Sequence, residues 1–157
     1  GKAEKEFVIP EGVTSIGIGA FAYCTNLNSV EIPEGVIDIG ASAFYECTGL
    51  LSVSIAETVT SIGSNAFLNC SGLTGLIIPE SVTSIGEVAF AGCSSLTSVV
   101  IPNSVNKTGY NLFGNYSNIT MVFFISFFTS IICKLTSKII YYFFAFTIYC
   151  IFFWHFF

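Results

Sequence analysis

Four cysteines recur at a constant spacing of 23 residues in the first two thirds of the chain: Cys24, Cys47, Cys70 and Cys93. Cysteines in this number could form disulfides or bind a metal. In stacked repeats, however, identical positions direct their Cβ atoms in parallel, which is poor geometry for a disulfide. A zinc site needs ligands that converge within a short loop. The spacing therefore favours a buried column of free thiols that act as small hydrophobic side chains, and it leaves the redox compartment undetermined.

A column of carboxylates has the same spacing and consists of Glu11, Glu34, Glu57 and Glu80, with Asn103 as its last position. Carboxylates about 5 Å apart would suit the pair of a retaining glycosidase. Such a pair needs two unlike environments in a pocket, whereas here one turn position recurs. We therefore predict a ladder of solvated carboxylates, with weak Ca²⁺ association as the alternative.

Other residues that could support catalysis are scarce. The only histidine, His155, lies among aromatic residues near the end of the sequence, and the chain has no arginine. A hydrolase or transferase site has almost nothing from which it could be built. The sequence predicts a protein that is not an enzyme, with no catalytic residues, no metal site and no cofactor.

The residues around these columns repeat with the same period of 23. Successive repeats share eight columns of identical or similar residues, among which the aromatic one contains Phe21, Phe44, Phe67, Phe90 and Phe113, and the glycine one contains Gly17, Gly40, Gly63, Gly86 and Gly109. One repeat has no core of its own, so its apolar residues become buried only against the same residues above and below. The sequence therefore predicts a solenoid of about five stacked rungs.

Each repeat contains two short extended segments. The stretch LNSVEIP, Leu27 to Pro33, has alternating apolar residues and predicts one parallel strand per rung, ending at proline, with Ala56 in place of that proline in one repeat. The stretch VTSIG predicts a second extended piece, and its glycine leads into a brief helical turn that carries the Ala-Phe pair and the cysteine. With strands about 4.8 Å apart, the stack would be about 20 to 25 Å long.

The repeated unit IPEGVTSIGxxAFxxCxxLxSV resembles the BspA-type leucine-rich repeat of bacterial and protist surface proteins, over about residues 4 to 120. The resemblance implies display at a cell surface and binding to host-cell or matrix proteins, and it supplies no catalytic residues. The last unit departs from the pattern at Thr108, Leu112 and Tyr116, which predicts a loose or capping final rung.

The outward positions of the predicted strands are the candidate protein-binding face. Serine dominates the face, which becomes apolar toward its later rungs, and its candidate residues are Ser29, Glu31, Ser52, Ser54, Ile77, Ser98 and Val100. Typical hot-spot residues (Trp, Tyr and Arg) are missing from it. The alternative is a bland surface that only spaces other repeats.

The charge of the repeats indicates which partners they can bind, and the N-glycosylation sequons indicate the compartment in which they lie. Residues 1 to 120 carry ten acidic side chains against three lysines, so nothing in them offers phosphates a basic patch, and nucleic acid is excluded as a partner. Candidate N-glycosylation sites are Asn106, Asn115 and Asn118, and a fourth sequon at Asn69 precedes a cysteine of the buried column. These triplets give weak support to an extracellular location.

The last part of the chain, residues 121–157, has a different composition. It contains 11 of the 17 phenylalanines and the only tryptophan, and Ile139 to Phe157 contains no Asp, Glu, Lys or Arg. This stretch of 19 residues nearly reaches the length of a transmembrane helix. We predict a hydrophobic, membrane-associated tail, either as one span at 139–157 or as a two-helix hairpin with Lys134 and Lys138 at one membrane interface.

Two functional hypotheses follow for the whole chain. The favoured one is a protein-protein interaction or adhesion module whose C-terminal segment anchors it in the cell membrane, with extracellular repeats. The alternative is a soluble leucine-rich repeat scaffold fragment whose hydrophobic tail is an out-of-frame translation, since an AT-rich stretch would produce a similar composition.

Overall fold

The computed structural model describes residues 6–114 and 121–124. Each 23-residue rung begins with one strand on a first face and continues with a two-residue strand on a second face. The strands of the first face are β1 (Glu6–Val8), β3 (Ser29–Ile32), β5 (Ser52–Ile55), β7 (Gly75–Ile77), β9 (Ser98–Ile101) and β11 (Met121–Phe124). Those of the second are β2 (Ser15–Ile16), β4 (Asp38–Ile39), β6 (Ser61–Ile62), β8 (Ser84–Ile85) and β10 (Lys107–Thr108).

All of these strands pair in parallel and in the register that the period predicts. Ser29 faces Ser52, and Ile62 faces Ile85, so each partner lies one repeat further along the chain. The second face is one continuous five-stranded sheet, whereas the first consists of two three-stranded sheets, β1-β3-β5 and β7-β9-β11. The described residues thus form a parallel β-solenoid of about four complete turns and part of a fifth rung, which confirms the predicted repeat solenoid.

The prediction of a brief helical turn in each rung is wrong, because the described residues contain no helix. Its place is taken by a run of turns in which two residues of each rung have positive φ, for example Ser42 at 56° and Glu46 at 58°. Alternate N–H groups of these turns donate hydrogen bonds to the next rung, as the Phe44 N–H does to the Ala66 carbonyl at 2.7 Å. A helix needs those N–H groups for its own i−4 carbonyls. Bonding between rungs therefore replaces helical bonding within them.

The phenylalanine column forms one row through the middle of the solenoid, as predicted. Phe21 stacks on Phe44 with ring centroids 5.0 Å apart, and Phe44 stacks on Phe67 at 5.1 Å. Phe44 and Phe67 are 0% exposed. At the N-terminal end Phe7, which pairs with Val30 and replaces valine in its column, covers Phe21 edge-on at 5.2 Å. The end of the row thus has an aromatic cap within the chain.

The glycine column allows neighbouring rungs to approach closely. The Gly63 N–H donates to the Ile39 carbonyl at 2.8 Å, and the Gly40 N–H donates to the Ile16 carbonyl at the same distance. A Cβ atom at Gly63 would lie 2.5 Å from the Ala41 backbone nitrogen, a distance that side chains do not occupy. Close backbone contact with the preceding rung explains why this position is glycine in the second to fifth rungs, whereas Gly17 in the first rung has nothing within 4 Å.

The cysteine column lies beside the phenylalanine row. Cys47, Cys70 and Cys93 are buried free thiols, and Cys24 at the N-terminal end is half-buried. The Cys70 thiol donates to the Phe44 carbonyl at 3.1 Å, and its neighbours make the equivalent bond. Burial raises the pKa of Cys47 to about 11 and that of Cys93 to about 12, and it also raises the pKa of Cys70. The predicted column of buried free thiols is confirmed for these three residues.

The fifth rung keeps the fold despite its departures from the pattern. Thr108 pairs with Ile85, and Leu112 is buried at the alanine position. Phe113 continues the row at 6.0 Å from Phe90, with ring planes 26° apart rather than parallel. The rung is thus ordered with looser ring stacking, while Tyr116 lies outside the described residues.

The described residues that follow position 120 belong to a first-face sheet of the solenoid. Met121–Phe124 forms β11, which pairs in parallel with β9 through the register Met121 to Ser98. The predicted span at 139–157, with the alternative hairpin, lies outside the described residues. Nowhere in 6–114 or 121–124 is there a helix of the length and apolarity that crossing a membrane requires.

Replacing Phe67 by alanine should lower the free energy of unfolding by about 3 to 5 kcal/mol, because the ring is fully buried and stacked on both sides. Phe21→Ala is the matched control: its ring is half-buried, so the loss should be clearly smaller. Urea denaturation followed by circular dichroism measures both. Equal losses would contradict stacking as the main source of stability.

Gly63→Ala should destabilise the protein by about 1 to 3 kcal/mol or more, because the new Cβ would force the rungs apart. Gly75→Ala introduces the same atom where nothing lies within 4 Å, and it should be neutral or stabilise by about 0.4 to 1 kcal/mol. Thermal melts of the two variants provide the comparison. A neutral Gly63→Ala would show that the rungs do not require close approach there.

Alkylation of the native chain with iodoacetamide at pH 8 should modify Cys24 and leave Cys47, Cys70 and Cys93 unmodified, since burial protects these three and their raised pKa values keep them protonated. Peptide mapping by mass spectrometry reads each cysteine separately, and labelling in urea confirms that all can react. Fast native labelling of Cys70 would contradict the buried column.

Candidate functional site

The outward side chains of the first face form a single surface, which we call the strand-face surface. It consists of the seven residues that the sequence pattern selects: Ser29, Glu31, Ser52, Ser54, Ile77, Ser98 and Val100. The inward neighbours Val30 and Leu76 are buried, because successive side chains of a strand point to opposite sides. The structure therefore brings all seven to one side of the solenoid, and their role in binding stays a prediction.

Among these seven residues, polar and apolar side chains occupy different halves of the strand-face surface, and beyond its polar half the exposed Val8 of β1 lies beside Glu31. Glu31 lies beside Ser54 in the β3–β5 register, and both side chains are exposed. Ile77 lies beside Val100 in the β7–β9 register, and Ile77 is 72% exposed. Exposing so large an apolar side chain next to hydroxyl groups costs hydration free energy that a bound partner would recover. The chemistry suits a protein segment with an apolar side and a polar side.

Three further apolar residues reach the surface between these halves, and sequence reasoning missed them. Leu51 is 51% exposed, and the inward residues Val53 and Ile55 are only half-buried. For Leu51 the sequence did contain a signal of exposure, because the equivalent position of the preceding rung is the polar residue Asn28. The half-burial of Val53 had no such signal, and it occurs on the strand whose pairing with β7 is interrupted.

The glutamate column occupies an exposed turn of each rung, as predicted. Glu11, Glu34, Glu57 and Glu80 are all exposed, and each follows the proline or alanine that ends the strand. Within residues 6–114 and 121–124, no three His, Cys, Asp or Glu side chains come together as a possible metal-binding group. The arrangement is a ladder of separate solvated carboxylates rather than a pocket with two unlike acids.

A cavity of about 360 Å³ lies at the N-terminal end of the solenoid and is open to solvent. Its lining includes Phe7, Phe21, Tyr23, Cys24 and Leu27. Among the described residues no carboxylate, lysine or histidine lines it, and its titratable side chains are Tyr23 and Cys24. His155, the sole histidine, lies outside the described residues.

The sequons differ in accessibility. The Asn106 side chain is exposed next to strand β10, while Asn115 and Asn118 lie outside the described residues. Asn69 is half-buried, and its Nδ2 donates to Glu46 Oε1 at 2.8 Å. Of the two sequons whose structure is described, Asn106 is the one that presents its amide to solvent.

A tyrosine pair on the turn side of the first two rungs was not singled out from the sequence. Tyr23 and Tyr45 meet edge to face with ring centroids 5.2 Å apart, and Tyr23 is 67% exposed. The pKa of Tyr45 is raised by the neighbouring Tyr23 phenol, then by burial and by Glu46. Tyrosine is typical of protein interfaces, but this pair lies on the turn side and not on the strand-face surface.

Comparison with known proteins supports the repeat type. The family described as "BspA type Leucine rich repeat region" matches residues 2–120 and 37–145, with six copies. A leucine-rich cell surface protein from Faecalibacterium prausnitzii is 34% identical with a TM-score of 0.76, and the alignment covers 79% of this chain and 33% of that one. The leucine-rich repeat protein of T. pallidum is 33% identical with a TM-score of 0.73, covering 75% of this chain and 57% of that one.

A leucine-rich repeat protein from Eubacterium ventriosum is 30% identical with a TM-score of 0.69, and the match covers 78% of this chain and 32% of that chain. The chain thus spans between about a third and somewhat over half of the length of these proteins. A search of curated proteins found no match. The 23-residue period, the parallel ladders and the profile match over most of the sequence agree, and the chain belongs to the family of BspA-type leucine-rich repeat proteins.

Proposed function

We propose that the chain is a non-catalytic protein-binding module that is displayed at the cell surface and binds a host-cell or matrix protein through its strand-face surface. The observation that carries the proposal is the division of this surface into an exposed apolar half at Ile77 and a polar half at Glu31 and Ser54. Each half lies on its own set of paired parallel strands, so a partner would meet two locally pre-organised patches.

Display at a cell surface is supported by two observations of different kinds. The F. prausnitzii relative is described as a leucine-rich cell surface protein. The segment 139–157 contains no Asp, Glu, Lys or Arg, a composition suited to a membrane anchor. Asn106 would then be a glycosylation site on the extracellular repeats, because its side chain is exposed.

Binding is tested by adhesion to cultured host cells, using cells that display the full chain. Ile77→Lys should reduce adhesion by about tenfold or more, because it places a charge in the centre of the apolar half. Thr60→Lys is the matched control: Thr60 is exposed on the second face, outside the strand-face surface, so adhesion should not change. Adhesion that survives Ile77→Lys, or that Thr60→Lys abolishes equally, would contradict this surface as the binding site.

The anchor is tested separately with an antibody to the repeats. Intact cells should be labelled before permeabilisation, and truncation after residue 124 should release the repeats into the medium. Labelling that appears only after permeabilisation would contradict surface display. Recovery of the full chain in the soluble fraction would instead support a soluble scaffold.

A further inference from the structure

We propose that the boundary between the third rung (residues 52–74) and the fourth rung (residues 75–97) is a bending joint, which opens the first face while the second face stays closed. At this boundary β5 and β7 belong to different sheets, although every other pair of neighbouring strands on the first face is joined by a ladder. At the start of the boundary the Thr74 N–H reaches the Leu51 carbonyl at 3.4 Å, a long bond.

The opposite side of the same boundary is intact. On the second face β6 pairs with β8 in register, and the Gly86 N–H donates to the Ile62 carbonyl at 2.8 Å. In the turns, the Phe67 N–H donates to the Ala89 carbonyl at 2.8 Å. The two rungs are therefore held along the second face and the turns, and this line acts as the axis about which the first face can open.

The core responds at this boundary. Val53 and Ile55 are half-buried, whereas Val30 and Ile32 one rung earlier are 3% and 1% exposed. The spacing of the phenylalanine rings grows steadily along the whole row, from 5.0 Å at Phe21–Phe44 to 6.0 Å at Phe90–Phe113, so the ring stacking does not single out this boundary. Side-chain packing is thus looser on the β5 side of the interrupted ladder.

The local sequence accounts for the weak point. Gly75 stands where Ser29, Ser52 and Ser98 occur in other rungs, and nothing lies within 4 Å of a Cβ added there. Glycine weakens a strand, since it loses more backbone entropy and packs no side chain. Ala56 follows β5 at the position where proline follows β3 and β9. Because proline fixes its own φ angle and alanine does not, the backbone at the end of β5 has more freedom.

Opening of the joint would change the strand-face surface directly. Ser54 and Ile77 occupy equivalent columns on the two sides of the boundary, so bending alters the separation between the polar half and the apolar half. The joint itself concerns the chain alone and holds whether or not the proposed binding function is correct.

Amide hydrogen exchange of the full 157-residue chain tests the joint residue by residue. Along a parallel strand, successive backbone N–H groups point alternately to the two neighbouring strands. Because the Ala56 N–H donates to the Ile32 carbonyl, the Ser54 N–H also points to β3, while the Ile55 N–H points to β7. In the same way, the Ile78 N–H donates to the Val100 carbonyl of β9, so the backbone N–H of Ile77 points to β5. The amides of Ile55 and Ile77 are therefore the ones that an unbroken ladder would protect.

We expect Ile55 and Ile77 to exchange at least about tenfold faster, after correction for intrinsic rates, than their equivalents Ile78 and Ser54 at the paired boundaries. Gly86 and Phe67, which bridge the same boundary on the closed side, should be as slow as the paired residues. Protection of Ile55 and Ile77 equal to that of their equivalents would overturn the proposal. Fast exchange of Gly86 and Phe67 would also overturn it, because the rungs would then separate completely rather than bend.

Discussion

Close approach of identical rungs is the constraint on which this structure depends. Backbone bonds such as Gly63 N–H to Ile39 carbonyl form only if nothing larger than hydrogen occupies the glycine position. The same spacing sets the distance of about 5 Å between phenylalanine rings and buries the thiols against backbone carbonyls. Each rung contributes little stability alone, because its apolar side chains are covered only by its neighbours.

This constraint leaves function to the outward positions. Inward columns are nearly invariant along the chain because each residue packs against its own copy. Outward columns change from rung to rung, from Glu31 and Ser54 to Ile77 and Val100, since they pack against nothing within the chain. Variation on a constant scaffold lets such a solenoid present a specific surface without altering its fold, which is what the proposed binding role requires.

The boundary between the third and fourth rungs shows where the constraint is relaxed. There the first face loses its ladder while the second face and the turns keep theirs. A solenoid can tolerate this because its rungs are held together by several independent lines of bonds, so the loss of one line does not separate them. The result is local freedom on the side that carries the strand-face surface.

Much of this arrangement was predictable from the sequence. The period of 23 determined the parallel register, the phenylalanine row, the buried thiols and the outward side of the seven candidate residues, because identical letters at identical intervals can bury one another only when stacked. The period also predicted the glycine turn after each VTSIG segment, but it predicted a helix where the structure has turns. Local pattern could not show that alternate N–H groups, such as that of Phe44, bond to the next rung.

The tertiary structure alone decided three features. It revealed Phe7 as the aromatic cap of the row, the meeting of Tyr23 with Tyr45, and the half-burial of Val53 and Ile55 beside the interrupted ladder. Each results from contacts between rungs whose geometry differs slightly from the repeat average. A sequence period states what the rungs share, whereas the contacts between particular rungs depend on the side chains in which they differ.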